Sequence, residues 1–239
     1  MRRQIDGEGH NFCGPFYMEN NSEEQKKQKI VFVAGVHGNE LMPIVALTQQ
    51  GIPFVLANEA GVLAGIRFLE EDLNAAFGVD HETYEAKRAK ELLEIIPPDS
   101  KVIDFHSAPV ETQPFAIIVS LAMLSLARTL GVRHVVYMKY NVKAGHALIN
   151  HRDGVSIEVG NHGDVNAVQR TIKYTENVCG DEHPVILYEV YDRMLKPGNY
   201  VNFQEYQDGD ETFIPVLAGN RPYHGGYGLK ARVVEQPKE

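Results

Sequence analysis

From Lys29 onward the chain alternates between short β-branched runs and longer segments of helical period, and no other feature narrows the fold as much. KIVFVAGV, PFVLAN, KVIDFH, FAIIVS, RHVVYM and GVSIEVG read as strands. ELMPIVALTQQG, HETYEAKRAKELLEII, SLAMLSLARTLG and DVNAVQRTIKYTENVCG read as the helices between them. Near-continuous apolar strands must be covered on both faces. The alternation therefore predicts an α/β fold, a parallel or mixed sheet flanked by helices. After Asp181 the helical period stops. HPVILYEVYDRM, NYVNFQEY, TFIPVLAG and YGLKARVV read as strands separated by turns such as KPGN, QDGD and HGGYG. The expected organisation is a polar lead-in over 1–28, an α/β domain over 29–182 and a small β-rich C-terminal subdomain over 183–239.

A chain of 239 residues can bury a core of that size without disulfide or metal staples. Its 44% hydrophobic and 23% charged residues are ordinary for a globular protein, and no stretch approaches the roughly 20 apolar residues of a membrane helix. The first residues, MRRQIDGEGHNF, carry positive charge with no apolar run behind it, so no secretory signal is expected. Cys13 and Cys179 form no CxxC pair, which fits a reducing compartment, and a cytoplasmic location is the default. A net charge of −9 without a basic stripe argues against nucleic acid as a partner. A small-molecule substrate and no membrane are expected, and self-association into a homo-oligomer is left open.

Ligands of an α/β sheet gather outside the carboxyl ends of its strands. In VFVAGVHGNE a strand stops at His37, Gly38 and Asn39 make the turn, and Glu40 enters the next helix. In KVIDFHSAP, Asp104 and His106 sit two apart and share one face, with Phe105 on the other. In GVSIEVG, Ser156 and Glu158 alternate with Val155, Ile157 and Val159, which puts a carboxylate opposite the apolar set. His37 and Glu40 alone read more readily as structural residues than as ligands. With His106 they supply the three N and O donors that a catalytic zinc takes, leaving one position for water. Asp104 reads either as the partner of a ligand imidazole or as a capping or solvated aspartate. Glu158 fits a base that takes a proton from the attacking water and returns it to a leaving amine, or else a carboxylate paired with a nearby cation.

Taken together, GVHGNE, DLN, DFHS and SIEVG resemble the succinylglutamate desuccinylase and aspartoacylase family, a branch of the zinc carboxypeptidase-like hydrolases. The likeness runs from about Lys29 to the C-terminus and includes DGDETFIPVLAGN. It implies a zinc carboxypeptidase-like fold with one Zn2+ per chain on His37, Glu40 and His106, and Glu158 as general base and acid. It also implies that Arg67, in RFLEEDLN, polarises the substrate carbonyl and that Asn74 helps to hold a substrate carboxylate. The implied activity is deacylation of a small N-acyl amino acid or related N-acyl amine. A zinc carboxypeptidase or peptide amidase and a non-catalytic metal-binding relative are the alternatives.

The chain departs from the family one residue after DLN. Members that cleave acyl-aspartate or acyl-glutamate read DLNR, and the arginine grips a carboxylate; here the residue is Ala75. A methyl group cannot make that bidentate contact. Arg152 in NHRDG and Lys143 are the cations offered in its place. In RPYHGGYG, Tyr223, His224 and Tyr227 are candidates for the mouth of the site, although Gly-rich turns alone explain the segment. His162 in GNHGD is ambiguous, and Asp164 is expected to cap the helix that follows.

Overall fold

The computed structural model describes residues 29–219 and 226–236. The strands are β1 (Lys29–Ala34), β2 (Val55–Leu56), β3 (Ser100–Ala108), β4 (Phe115–Ile118), β5 (His134–Tyr137), β6 (Gly154–Asn161), β7 (Ile186–Arg193), β8 (Tyr206–Asp208), β9 (Glu211–Val216) and β10 (Leu229–Val233). The helices are α1 (Leu41–Gln49), α2 (Glu59–Ala64), α3 (Tyr84–Ile95), α4 (Leu124–Thr129), α5 (Leu148–His151) and α6 (Asn166–Asn177). All ten strands join one mixed sheet in the order β2-β1-β3-β6-β4-β5-β7-β10-β9-β8. This is the helix-flanked mixed sheet that the alternation predicts, with the β-rich segment at its C-terminal end.

β1, β3 and β6 run parallel, so their carboxyl ends open on the same edge. β4 is inserted antiparallel to β6 and parallel to β5, and β7 continues parallel to β5. The strands after Asp181 thus extend the central sheet through β7 before turning antiparallel at β10, β9 and β8.

The period-2 pattern sorts the core into two layers. Ile30, Phe32, Ile103, Phe105, Val155 and Ile157 pack with α4 and α6 on one face. Val31, Val33 and Val102 pack with Phe77, Ala89 and Leu92 on the other. Full burial of each such side chain is worth about 1.5–3 kcal/mol. A slip of one residue would turn every one of them to the wrong face, which pins the register and with it the polar residues at the strand ends.

One predicted strand is absent. NYVNFQEY is extended only from Tyr206, because Phe203 adopts a left-handed backbone with φ 63°. Its backbone N–H donates to Pro215 O at 3.0 Å, and its ring stacks on His134 at a centroid distance of 4.4 Å. Asp164 does engage the start of α6, accepting from Asn166 N at 2.9 Å, and it also pairs with Arg170.

Candidate metal centre and active site

The HGNE turn bridges the end of β1 and the start of α1. Gly38 is demanded by packing: a Cβ there would lie 2.0 Å from the backbone carbon of Gly61 at α2, a contact no side chain can relieve. Its N–H donates to Arg67 O at 3.0 Å, tying the turn to the segment that carries Arg67. The turn buries both His37, 3% exposed, and Glu40, 2% exposed.

His37 Nδ1 lies 2.7 Å from Glu40 Oε1, and His106 Nδ1 lies 3.1 Å from Glu40 Oε2. Ser107 N also donates to Glu40 Oε2 at 3.0 Å. On its outer side His106 Nε2 lies 2.7 Å from Asp104 Oδ2, and His37 Nε2 lies 3.0 Å from Asp72 Oδ1. Each imidazole is therefore held between an inner carboxylate, shared, and an outer one of its own. When each Nε2–H donates to its outer carboxylate, both Nδ1 lone pairs face inward towards Glu40. One donor atom from each of His37, Glu40 and His106 lies within 4.8 Å of the others. Two imidazoles and a carboxylate are donors that zinc takes, so the residues present fit the ion that the motifs imply.

Burial pushes the Glu40 carboxyl up, but the His37 and His106 imidazoles outweigh it and hold it far below the usual carboxylate range. Burial pushes His106 down, but the charges of Asp104 and Glu40 raise it well above the ordinary histidine value. The cluster is thus built to keep positive charge next to Glu40.

Arg67 Nη2 lies 2.8 Å from His37 Nε2 and 3.2 Å from Asp72 Oδ2, and its Nη1 is 3.6 Å from Glu40 Oε1. One ring nitrogen cannot both accept from Arg67 and donate to Asp72. Ligation through Nδ1 requires the Nε2–H tautomer, in which Arg67 must turn its Nη2 away from the ring. That frees a guanidinium N–H beside the donor set. Asp72 also accepts from Lys143 Nζ at 2.8 Å and from Asn74 N at 2.9 Å. Burial pulls Lys143 below its ordinary value despite this pairing.

Glu158 lines the same pocket as His37 and His106. It is half-buried, yet its Oε2 is enclosed and has no hydrogen-bond partner. Burial, followed by the nearby charge of Glu40, pushes its carboxyl up to about 7. The pocket has a volume of about 90 Å³ and is walled mainly by Ile117, Val119, Met138, Val142, Leu217 and Leu229.

Asn74 reaches the pocket wall, and its Oδ1 accepts from Leu148 N at 3.4 Å. Arg152 does not reach the pocket: its guanidinium donates to the carbonyls of Ile96 (3.0 Å), His151 (2.8 Å) and Leu93, closing the C-terminus of α3. Those unsatisfied helix-end carbonyls are stronger claimants for a nearby arginine than open solvent. Tyr227 acts through its backbone, donating to Met194 O at 2.6 Å, while the pocket wall is made by Gly228 and Leu229 beside it. Tyr223 and His224 lie outside the described residues. His162 Nδ1 lies 2.8 Å from Ser107 Oγ, one residue from His106.

Asp72, Glu85 and Arg193 have no assigned role in the motifs. Asp72 lies inside DLN, five residues after Arg67, and that opposite-charge spacing is the only signal for it. Glu85 and Arg193 carry no local signal at all.

A mixed α/β sheet with these donors at the carboxyl ends of its parallel strands defines the carboxypeptidase-like class of fold. Residues 26–179 match the succinylglutamate desuccinylase/aspartoacylase catalytic domain, and the chain belongs to that family. It is 32% identical to a probable aspartoacylase of Prochlorococcus marinus subsp. pastoris over 34% of this chain and 33% of that one. It is 28% identical to the succinylglutamate desuccinylase of Serratia proteamaculans over 38% of each. The match thus spans little more than a third of either relative. The crystal structure of murine aminoacylase 3 shares the fold with a TM-score of 0.69 at 18% identity, covering 89% of this chain and 97% of that one. Among the described residues no helix is long and apolar enough to cross a membrane.

Proposed function

We propose that this chain is a zinc-dependent amidohydrolase that removes the acyl group from a small N-acylated amino acid or related amine. The observation that carries the reading is Glu158: a carboxylate with an enclosed, unpartnered oxygen in the same pocket as His37 and His106. An orphaned buried carboxylate oxygen costs stability unless a proton donor meets it, and attacking water is such a donor. Membership of a family named for deacylases supports the same chemistry.

His37, Glu40 and His106 would hold the ion, which when bound lowers the pKa of water and polarises the amide carbonyl. Glu158, whose carboxyl burial pushes up in the metal-free protein, accepts the proton of the attacking water and holds it on the enclosed carboxyl. The same carboxyl then returns the proton to the departing nitrogen, so that an amine and not an amide anion leaves. Arg67, turned from His37, donates to the carbonyl oxygen as negative charge develops there. Asp72 keeps the His37 proton on Nε2 and sets the reach of Arg67. Asp104 does the same for His106.

The test pairs metal content with turnover of a panel of N-acyl amino acids and amines. The protein should bind about one zinc per chain, the number that the one three-donor set among the described residues allows. Glu158→Gln should keep the metal and lose turnover, while His106→Ala should lose both. A fully active Glu158→Gln protein, or one that takes up no zinc on reconstitution, would remove the mechanism.

A further inference from the structure

We infer that Arg193 binds a carboxylate of the substrate at the end of the pocket remote from the donor set, supplying the anion-binding charge that Ala75 cannot. The inference rests on the hydrolase reading only for which end of the pocket holds the scissile amide.

Four residues of the pocket wall can carry positive charge: His37, His106, Lys143 and Arg193. The histidines belong to the donor set. Lys143 already has Asp72 at 2.8 Å. Arg193 differs from all three. Among the described residues no carboxylate pairs with its side chain. Its Nη2 makes one long bond to Val142 O at 3.3 Å, and its guanidinium carbon lies 5.7 Å from the Tyr140 ring centroid. Its Nε is enclosed and has no hydrogen-bond partner. A buried guanidinium N–H without an acceptor is unfavourable, and a carboxylate meeting Nε and one Nη together would satisfy it through two parallel charge-assisted bonds.

Arg193 is the last residue of β7 and the register partner of Leu229 on β10, which also lines the pocket. In the sheet β7 is separated from β6, the strand of Glu158, by β4 and β5. Three strand spacings amount to ~14 Å across the sheet, and the register adds an offset along the strands, because the row of Glu158 meets β7 at Ile186, well before Arg193. The wall between them is apolar, formed by Ile117, Val119 and Met138. The geometry therefore selects a ligand with an amide at one end, an apolar tether and an anion at the other. That chemistry has two sources: an amine portion that ends in a carboxylate, or an acyl portion that does.

Two matched pairs of probes separate them. The N-acetyl derivative of aminohexanoic acid and its carboxamide place the charge on the amine side. The monobutylamide of adipic acid and the corresponding diamide place it on the acyl side. Binding is measured by calorimetry on zinc-loaded protein carrying Glu158→Gln, so that no turnover is needed. In one pair the anion should bind on the order of 10- to 100-fold more tightly than its neutral partner. Arg193→Met, which keeps the apolar stem, should abolish that preference while leaving the neutral probe unchanged, and Arg193→Lys should restore part of it. Absence of an anion preference in both pairs, or a preference that survives in Arg193→Met, overturns the inference; the latter result places the carboxylate on the metal. Cleavage by the unsubstituted protein is scored separately. An Arg193-dependent preference without cleavage keeps the clamp and removes the hydrolase reading.

Discussion

His106 and Glu158 are register partners on the adjacent parallel strands β3 and β6. Paired residues of parallel strands point to the same face, so a member of the candidate donor set and the proposed base stand side by side on rigid backbone, not on loops. Asp104 and Ser156 form the pair one step behind them, and Ser156 Oγ donates to Asp104 Oδ2 at 3.4 Å. The relationship makes activity sensitive to the length of the side chain at 158. Glu158→Asp keeps the charge but withdraws the carboxylate by one methylene. Since a displacement of about 1 Å can cost on the order of 100-fold in rate, kcat should fall by that factor with zinc content unchanged. Steady-state kinetics on the best substrate of the panel would check this, and a variant within a few-fold of the parent would show that the carboxylate is not held in place by the strand.

The pKa of Glu158 also carries a stability signature. Its carboxyl titrates near 7 in the fold against 4.5 for an unperturbed glutamate. Between those values the folded state binds more protons than the unfolded one, so the protein loses stability as pH rises through this window. The full penalty, on the order of 3 kcal/mol, applies above pH 7 in metal-free protein. Glu158→Gln cannot ionise and escapes it. Denaturant unfolding of the metal-free proteins should show the variant more stable at pH 8, with the advantage shrinking towards pH 4.5. Zinc adds positive charge beside Glu158 and should lower its pKa, so the acid limb of kcat/KM in the loaded enzyme should fall below 7. An advantage for the glutamine variant that does not change with pH would dissociate Glu158 from this titration.

Much of the site was legible because its signals are local. His37 and Glu40 share one turn, Asp104 and His106 share one strand face, and Glu158 interrupts an otherwise apolar strand. Periodicity places each of them at a carboxyl end without knowledge of the fold. Pairings that depend on sheet order were not legible. Arg193 reaches the pocket because β4 is inserted in reverse between β6 and β5 and β7 then lies beside β5. No spacing in the sequence carries that information. Arg152 illustrates the converse: six residues before Glu158 in sequence, it is claimed by carbonyls at the end of α3 that lie more than fifty residues earlier. Phe203 broke an expected strand through a tertiary contact with His134, which overrides local preference.

Glu85 shows how far the support of the site extends. It is fully buried at the start of α3 and accepts from the backbone N–H groups of Leu69 at 2.7 Å, Glu70 at 3.2 Å and Glu71 at 3.3 Å. It also accepts from Asn58 Nδ2 at 3.3 Å, and Asn58 caps α2 through Gly61, the residue against which Gly38 packs. One carboxylate thus fixes the loop between Arg67 and Asp72 and braces the helix behind the HGNE turn. Glu85→Gln keeps the shape but replaces an acceptor oxygen by an amide that faces other donors. Each buried donor left unsatisfied costs about 1–3 kcal/mol, so the substitution should lower unfolding stability by roughly 3 kcal/mol. Well below the unfolding temperature, displacement of Arg67 should still reduce kcat by on the order of 100-fold. His106 and Glu40 are held from β3 and α1, so the zinc content should persist. Chemical denaturation, zinc analysis and kinetics on the same preparation would measure all three. A variant with parental stability and parental kcat would mean that the loop holds its shape without Glu85.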